Sequence, residues 1–326
     1  MQLPRSRGAR RRRDRAAVLG LSPVPLVTPT ADRRPPRRVL TGTVLDASPH
    51  LLVLRTPAGE RRVAMSGTTS VWHGGRADLA ALRPGRSAIA RLAADGLAAD
   101  RVWVEAARVT GTILARGRDA LEIDMGPHRG RAHVDLPPAA LGQVLVRHPK
   151  LEPGYLADVI CVRTPDGPRA VRPGTSQPGH RAAHPPGPAR GAAIADPVHG
   201  TATWFGDAVA TPGLGAAYPA VDAEGDAGGC ADAPDGCAAL PLLSLGSEIR
   251  VLNQCTGHLG AVPVTECGCV AARYCDRCVE CGTSPRGRVA ELTPAAFVGL
   301  GGELETGCFN AFLFHGAGGG QEARPW

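Results

Sequence analysis

Five cysteines stand close together as Cys267-x-Cys269-x5-Cys275-x2-Cys278-x2-Cys281, with an acidic side chain on either side: Glu266 directly before them and Glu291 ten residues after. Two overlapping Cys-x2-Cys units have the spacing of tetrahedral zinc ligands, so Cys267, Cys269, Cys275, Cys278 and Cys281 form a candidate zinc set. Against zinc, the paired ligand groups of a zinc ribbon normally sit further apart, and Cys230, Cys237, Cys255 and Cys308 lie outside the run, where they can staple a small barrel. Disulfides account for more of these nine cysteines and imply an oxidising compartment. They leave one odd thiol, while Cys161 stands alone and reads as buried and inert. No cofactor other than zinc is expected. The two acids suit different chemistry. Cleaving a glycosidic bond needs a carboxylic acid to protonate the leaving oxygen and a carboxylate to act as base or to stabilise developing positive charge. Two acids at the ends of neighbouring strands meet that need.

Such residues must be positioned by a scaffold, and composition says which kind. With 42 Gly, 30 Pro and only 12 aromatic residues among 326, turns and short strands are favoured over long helices. Hydrophobic residues make up 43% of the chain, which excludes disorder throughout, and no run of about 18 apolar residues exists to span a bilayer. Charge is unevenly placed. Residues 1–38 hold 11 Arg against Asp14 and Asp32, residues 39–195 net +7, and residues 196–326 net −9. The densest basicity lies in a terminal segment rather than on a folded face interleaved with aromatics, so no nucleic-acid partner is expected.

Within that first segment, Arg10 to Arg13 and Arg15 precede the apolar stretch from Ala16 to Val27, which two prolines interrupt. The arrangement resembles an atypical export signal; a disordered basic tail is the alternative. The cysteine usage favours export, to a secreted or cell-wall-associated location.

The first half repeats itself. Thr41-Gly42-Thr43-Val44-Leu45 recurs 69 residues later as Thr110-Gly111-Thr112-Ile113-Leu114, and the same offset relates Leu52 and Leu54 to Leu121 and Ile123, Arg62 to Arg131, and Pro84-Gly85 to Pro153-Gly154. Four anchors in one register define two copies of a unit, at 39–108 and 109–172. Short alternating runs separated by turns, with a helical stretch from Ala77 to Leu82, suit a small OB-like β-barrel, with Trp72 and Trp103 in its core. Residues 173–198, rich in Pro, Gly, Ala and His, read as a semi-extended linker.

The last third carries a distinctive order of motifs. Gly200-Thr201-Ala202-Thr203-Trp204-Phe205-Gly206 opens it, Leu245-Gly246-Ser247-Glu248-Ile249-Arg250-Val251-Leu252-Asn253 follows, and then come Thr256-Gly257-His258, a strand from Ala261 to Thr265, the Glu266-Cys267-Gly268-Cys269 turn, Glu291-Leu292-Thr293 and a helix from Pro294 to Leu300. Residues 199–315 resemble the rare-lipoprotein-A-like double-psi β-barrel family, whose superfamily includes expansins and barwin-like proteins. The resemblance implies a six-stranded barrel that binds or remodels peptidoglycan or a related polysaccharide. It places Glu266 and Glu291 at the family's two aspartates, with Glu291 as general acid and Glu266 as its electrostatic partner, in a possible lytic, glycan-cleaving site. Cys267 and Cys269 replace the family's Arg and Pro, and residues 270–287 are an insertion between the two acids. Trp204 and Phe205 suit stacking on a sugar face, Phe205 towards the groove and Trp204 packed. Asn253, His258 and Thr293 complete the expected substrate-binding set.

The expectation is therefore a mainly β, exported protein: a basic segment (1–38), two OB-like barrels, a linker, a double-psi barrel (199–315) and a flexible tail (316–326). A non-catalytic, expansin-like wall-binding module and a zinc-stabilised interaction protein are its rivals.

Overall fold

The computed structural model describes residues 33–187, 195–222 and 236–315. The candidate export signal and the tail at 316–326 lie outside the described residues. The chain is mainly β, as expected; of the two expected OB-like barrels the second is closed, with five strands, whereas the first is a seven-stranded sheet.

The first unit is a seven-stranded sheet. It comprises β1 (Val39–Ala47), β2 (Leu51–Thr56), β3 (Gly59–Ala64), β4 (Ser70–Trp72), β5 (Arg76–Ala77), β6 (Ser87–Leu92) and β7 (Ala99–Val104). A single parallel bridge, Ala64 to Ala98, brings the end of β3 towards β7. The second unit is a closed five-stranded barrel of β8 (Ala106–Arg116), β9 (Ala120–Asp124), β10 (Arg131–Asp135), β11 (Leu156–Thr164) and β12 (Gly167–Pro173), with helix α1 (Pro138–Arg147) between β10 and β11. The expected helical stretch of the first copy is only a 3-10 turn, Leu79–Ala81, capped by Asp78. In the second copy a full helix stands between the third and fourth barrel strands.

The 69-residue register holds at atomic detail. Both copies have a bulge in the first strand, after Val44 and after Ile113. Gly85 and Gly154 both adopt left-handed backbone, and their amides donate to Val44 O and Ile113 O at 2.9 and 2.8 Å. Gly42 and Gly111 run so close to the facing strand that a Cβ on either would strike the carbonyl oxygen of Arg55 or Asp124. Between the copies, Glu105 takes a left-handed φ of 53°, and its carboxylate accepts from the Ser87 amide across the junction.

The third unit is a closed six-stranded barrel of β13 (Val198–Trp204), β18 (Arg288–Leu292), β15 (Ala216–Tyr218), β17 (Leu259–Cys267), β16 (Glu248–Asn253) and β19 (Cys308–Phe314), named in the order they pair. Its parallel contacts are β13 with β18 and β15 with β17. Strand β14 (Gly206–Asp207) leaves this barrel to pair with β8 of the second unit. The third barrel's core is continuous with its neighbours: Trp72, Ile89 and Trp103 of the first unit and Ile160 and Val162 of the second join Trp204, Phe297 and Phe309. Trp72 and Trp103 are core residues, and Trp103 Nε1 reaches Glu305 Oε2 at 2.7 Å.

Two expectations are corrected. The basic segment is not a free tail to its end, because residues 33–38 lie along the third barrel. Arg34 N donates to Gly257 O and Leu259 N to Arg34 O, both at 2.9 Å, and Arg37 N donates to Gly299 O at 2.7 Å. The described part of the linker, up to residue 187, is no loose spacer. Gln177 Nε2 donates to Lys150 O and Leu156 O, Ala182 is buried with its amide on Gly154 O, and Arg181 stacks 4.8 Å from the Tyr155 ring centroid. Backbone partners and a ring supplied by the second unit outweigh the linker's composition.

Because the facing carbonyl leaves no room for a methyl group, Gly42→Ala and Gly111→Ala should each lower stability by about 1–3 kcal/mol. Chemical denaturation of each variant beside the parent measures the difference.

Candidate functional site

Strand β15 sets the geometry of the two acids. Its Ala217 pairs in parallel with Glu266 of β17 and antiparallel with Glu291 of β18. The acids therefore flank one residue from the two neighbouring strands, with Cα atoms about 10 Å apart at ordinary strand spacing. Their carboxylates converge on a single guanidinium. Arg129 Nε donates to Glu266 Oε1 at 2.6 Å and Nη1 to Glu291 Oε2 at 3.0 Å. Arg129 belongs to the turn between β9 and β10 of the second unit, so the cap on the carboxylate pair comes from outside the barrel that holds it.

The other oxygen of Glu291 is also taken: Arg288 Nη1 donates to Oε1 at 2.7 Å. Residues three apart on a regular strand point to opposite faces. A register shift in β18, where Thr201 and Ala202 of β13 pair with Arg288 and Ala290, brings Arg288 and Glu291 to the same side. Arg288 has no exposed side-chain surface, and its Nη2 reaches Asp158 at 2.5 Å, Asp276 at 2.8 Å and Thr175 Oγ1 at 3.0 Å. Its guanidinium stands 3.6 Å from the Tyr274 ring centroid. Burial works against the Arg288 charge, but Asp276, Asp158 and Glu291 hold it charged well beyond its ordinary range. Asp158 also receives Arg108 through two parallel bonds, at 2.8 and 2.6 Å. Burial alone would raise the Asp158 carboxyl; Arg108 and Arg288 together pull it far below the usual carboxylate range. Tyr274 Oη closes the knot by donating to Ala157 O at 2.5 Å and accepting from Gly111 N at 3.1 Å, and burial pushes its phenol well up.

What remains between the Met125–Arg129 turn and residues 266–270 is a cavity of about 10 Å³, at the lower limit for one water molecule. Beside it lies a cleft of about 710 Å³ between the second and third units, lined among others by His128, Arg129, His133, Arg163, Phe205 and Glu266. Glu291 is fully buried, whereas Glu266 borders the open cleft.

The remaining expected site residues take other places. Phe205 does border the cleft, but it is 3% exposed and lies 3.9 Å under the Arg129 guanidinium. Trp204 is withdrawn from any sugar, being fully buried with Nε1 donating to Leu304 O at 2.9 Å. Asn253 binds a turn from inside: Nδ2 donates to Leu300 O and Oδ1 accepts from Cys255 N, both at 2.8 Å. His258 packs against the N-terminal strap rather than the acids, with Nδ1 2.7 Å from Pro35 O and Nε2 accepting from Arg37 Nε at 3.3 Å. Burial, helped by Arg37, Arg34 and Arg91, lowers its affinity for a proton. Thr293 caps α2 (Pro294–Gly299), donating to Gly213 O at 2.8 Å and accepting from Gly215 N.

The cysteine run divides among disulfides. Cys237 pairs with Cys275, Cys255 with Cys281 and Cys278 with Cys308, at Cα separations of 5.4, 5.3 and 5.9 Å, and Cys267 is also disulfide-bonded. The zinc set is thereby corrected, since the sulfurs of Cys267, Cys275, Cys278 and Cys281 are used in covalent bonds and cannot act together as thiolate ligands. Cys269 Sγ lies 3.2 Å from Cys267 Sγ. Among the described residues no cluster of His, Cys, Asp and Glu is arranged to hold a metal ion. Cys161 is fully buried, which pushes its thiol up.

The chain matches no protein-family model, and no curated protein matches it. Arg108, Arg129, Asp158, Asp276 and Arg288 do not stand out in the sequence as site residues. The opposite net charge of residues 39–195 and 196–326 is a signal for Arg129 alone, since Arg288 and Asp158 pair against that asymmetry.

Two outcomes test this arrangement. Asp158→Asn leaves Arg108 and Arg288 buried without their shared counter-charge and should cost about 3–5 kcal/mol at neutral pH. Because the folded carboxyl binds its proton later than the usual 3.8, the parent's advantage is complete above that value and dwindles as pH falls below it. Denaturation of both proteins across the acid range reads the converging curves. Separately, non-reducing peptide mapping by mass spectrometry should recover the 237–275, 255–281 and 278–308 cross-links.

Proposed function

We propose that this is an exported, wall-associated protein that binds polysaccharide such as peptidoglycan in the cleft between its second and third units. It holds glycan without cleaving it while Arg129 is seated. The observation that carries this reading is the state of the acids: both oxygens of Glu291 and one of Glu266 are occupied by arginines, so no free carboxyl is presented to a leaving oxygen. Support for the compartment comes from the disulfides, which belong to an oxidising environment. No helix among the described residues is long and apolar enough to cross a membrane. Support for a carbohydrate ligand comes from the cleft, whose volume suits a short saccharide. It also comes from the second unit's strand order, that of an OB-like barrel, an architecture that accepts oligosaccharides. The resemblance of residues 199–315 to the rare-lipoprotein-A-like family points to the same class of ligand.

One observation favours a second reading, latent cleavage. Glu266 and Glu291 converge as an acid pair would, and the Arg129 side chain of another unit bridges them.

The full chain should co-sediment with purified peptidoglycan and release no fragment detectable by mass spectrometry. Failure to co-sediment overturns the binding proposal. Release by Arg129→Gln that disappears in Arg129→Gln/Glu291→Gln selects the latent enzyme.

A further inference from the structure

We infer that the first unit carries a separate oxyanion-binding site for an acidic polysaccharide, built from Arg76, Arg83 and Arg86 around a shallow surface depression of about 580 Å³, open to solvent. This site deepens the wall-association proposal by naming a polymer class, but it lies on another unit from the cleft and shares no residue with it.

The arginines at the unit boundaries are matched with acids: Arg91 with Glu303, Arg101 with Glu305, Arg129 with Glu266 and Glu291, and Arg163 with Asp207. The three arginines of this depression are not. Arg83 Nε donates to Ala80 O at 3.3 Å and Arg86 Nη1 to Ala81 O at 3.1 Å. Among the described residues no ion pair with a carboxylate is formed by Arg76, Arg83 or Arg86. The acid in its lining, Asp78, has Oδ1 engaged by the Ala80 amide at 3.0 Å. Glu105, also close to His73, accepts from the Ser87 amide. The guanidinium forks that remain match carboxylate or phosphate oxygens.

The repeat supplies an internal comparison. Arg83 and Arg86 flank Pro84-Gly85, and the same positions around Pro153-Gly154 are Glu152 and Tyr155. The turn folds alike in both copies, so folding does not call for these charges. His73, also in the lining, is disfavoured as a cation by burial first and then by Arg86, with Glu105 acting the other way. No Phe, Tyr or Trp lines the depression, so it offers no platform for stacked bases, and a sugar polymer suits it better than a single-stranded nucleic acid.

The test uses the full chain with fluorescent polygalacturonate as the carboxylate arm, phosphorylated dextran as the phosphate arm, and neutral dextran and duplex DNA as comparators. Titrations run at about 0.1 M and about 1 M salt, where the screening length falls from about 10 to about 3 Å. At least one acidic polymer should bind at the lower salt and weaken at the higher, with dextran unbound. Arg76→Gln/Arg83→Gln, which keeps the Arg86 bond to Ala81, should weaken that binding about tenfold or more at an unchanged melting temperature. Arg62→Gln, which removes an exposed arginine paired with Glu60 outside both sites, should leave it unchanged. The inference falls if neither polymer binds, if the double variant changes affinity less than twofold, or if duplex DNA binds more tightly than both polymers. Peptidoglycan co-sedimentation that survives such a failure leaves the cleft proposal standing.

Discussion

A guanidinium with no atom in contact with solvent is the condition on which the third barrel's site rests. Moving such a charge out of water costs several kcal/mol even after relaxation, and Arg288 recovers it only by collecting Asp158, Asp276 and Glu291 around one head group. Each partner comes from a different part of the chain: Asp158 from β11 of the second unit, Asp276 from the insertion, Glu291 from the same strand. Arg288 therefore satisfies its charge only when those three parts are docked together. A buried ion cluster is weak evidence of high stability, since well-packed apolar side chains often do as well. What it does supply is a tie between the two units, because Arg288 of the third reaches Asp158 of the second.

The same logic explains the lopsided charge of the sequence. An excess of arginine in the middle of the chain and of acid in its last third invites the idea of a basic face waiting for a polyanion. Much of that excess is consumed internally. Arg91 and Arg101 meet Glu303 and Glu305, and Arg163 meets Asp207, so charges that look available in the sequence meet across unit boundaries. Only the few that lack such partners remain for an outside ligand, and composition cannot tell the two kinds apart.

How much was legible follows from the range of the interactions. The duplicated unit could be read from local signals, because a bulge, a Pro-Gly turn and a glycine under a facing carbonyl leave the same residue types in both copies. The six-stranded barrel and the nearness of Glu266 to Glu291 could be read from motif order, since Ala217 needs only correct strand pairing to bring both acids beside it. Arg129 could not be found that way. It stands 137 and 162 residues from the two acids it joins, and nothing around it in the sequence differs from any other arginine in a turn. The insertion was misleading for a related reason. Its cysteines are close in sequence, as metal ligands often are, but their disulfide partners lie 26 to 38 residues away.

The strap at residues 33–38 also bears on the order in which the chain can assemble. Pro35 and His258 meet across 223 residues, and the neighbouring backbone bonds to Gly257, Leu259 and Gly299 span similar distances. A ribosome delivers Pro35 long before its partners exist, so this stretch must wait, unpaired, while two small units fold behind it. Contacts of such length are slow to close and expose their edges meanwhile. The seam between the chain's early and late portions is thus the last to be sewn, and the first place where a chaperone or a protease would find this molecule unfinished.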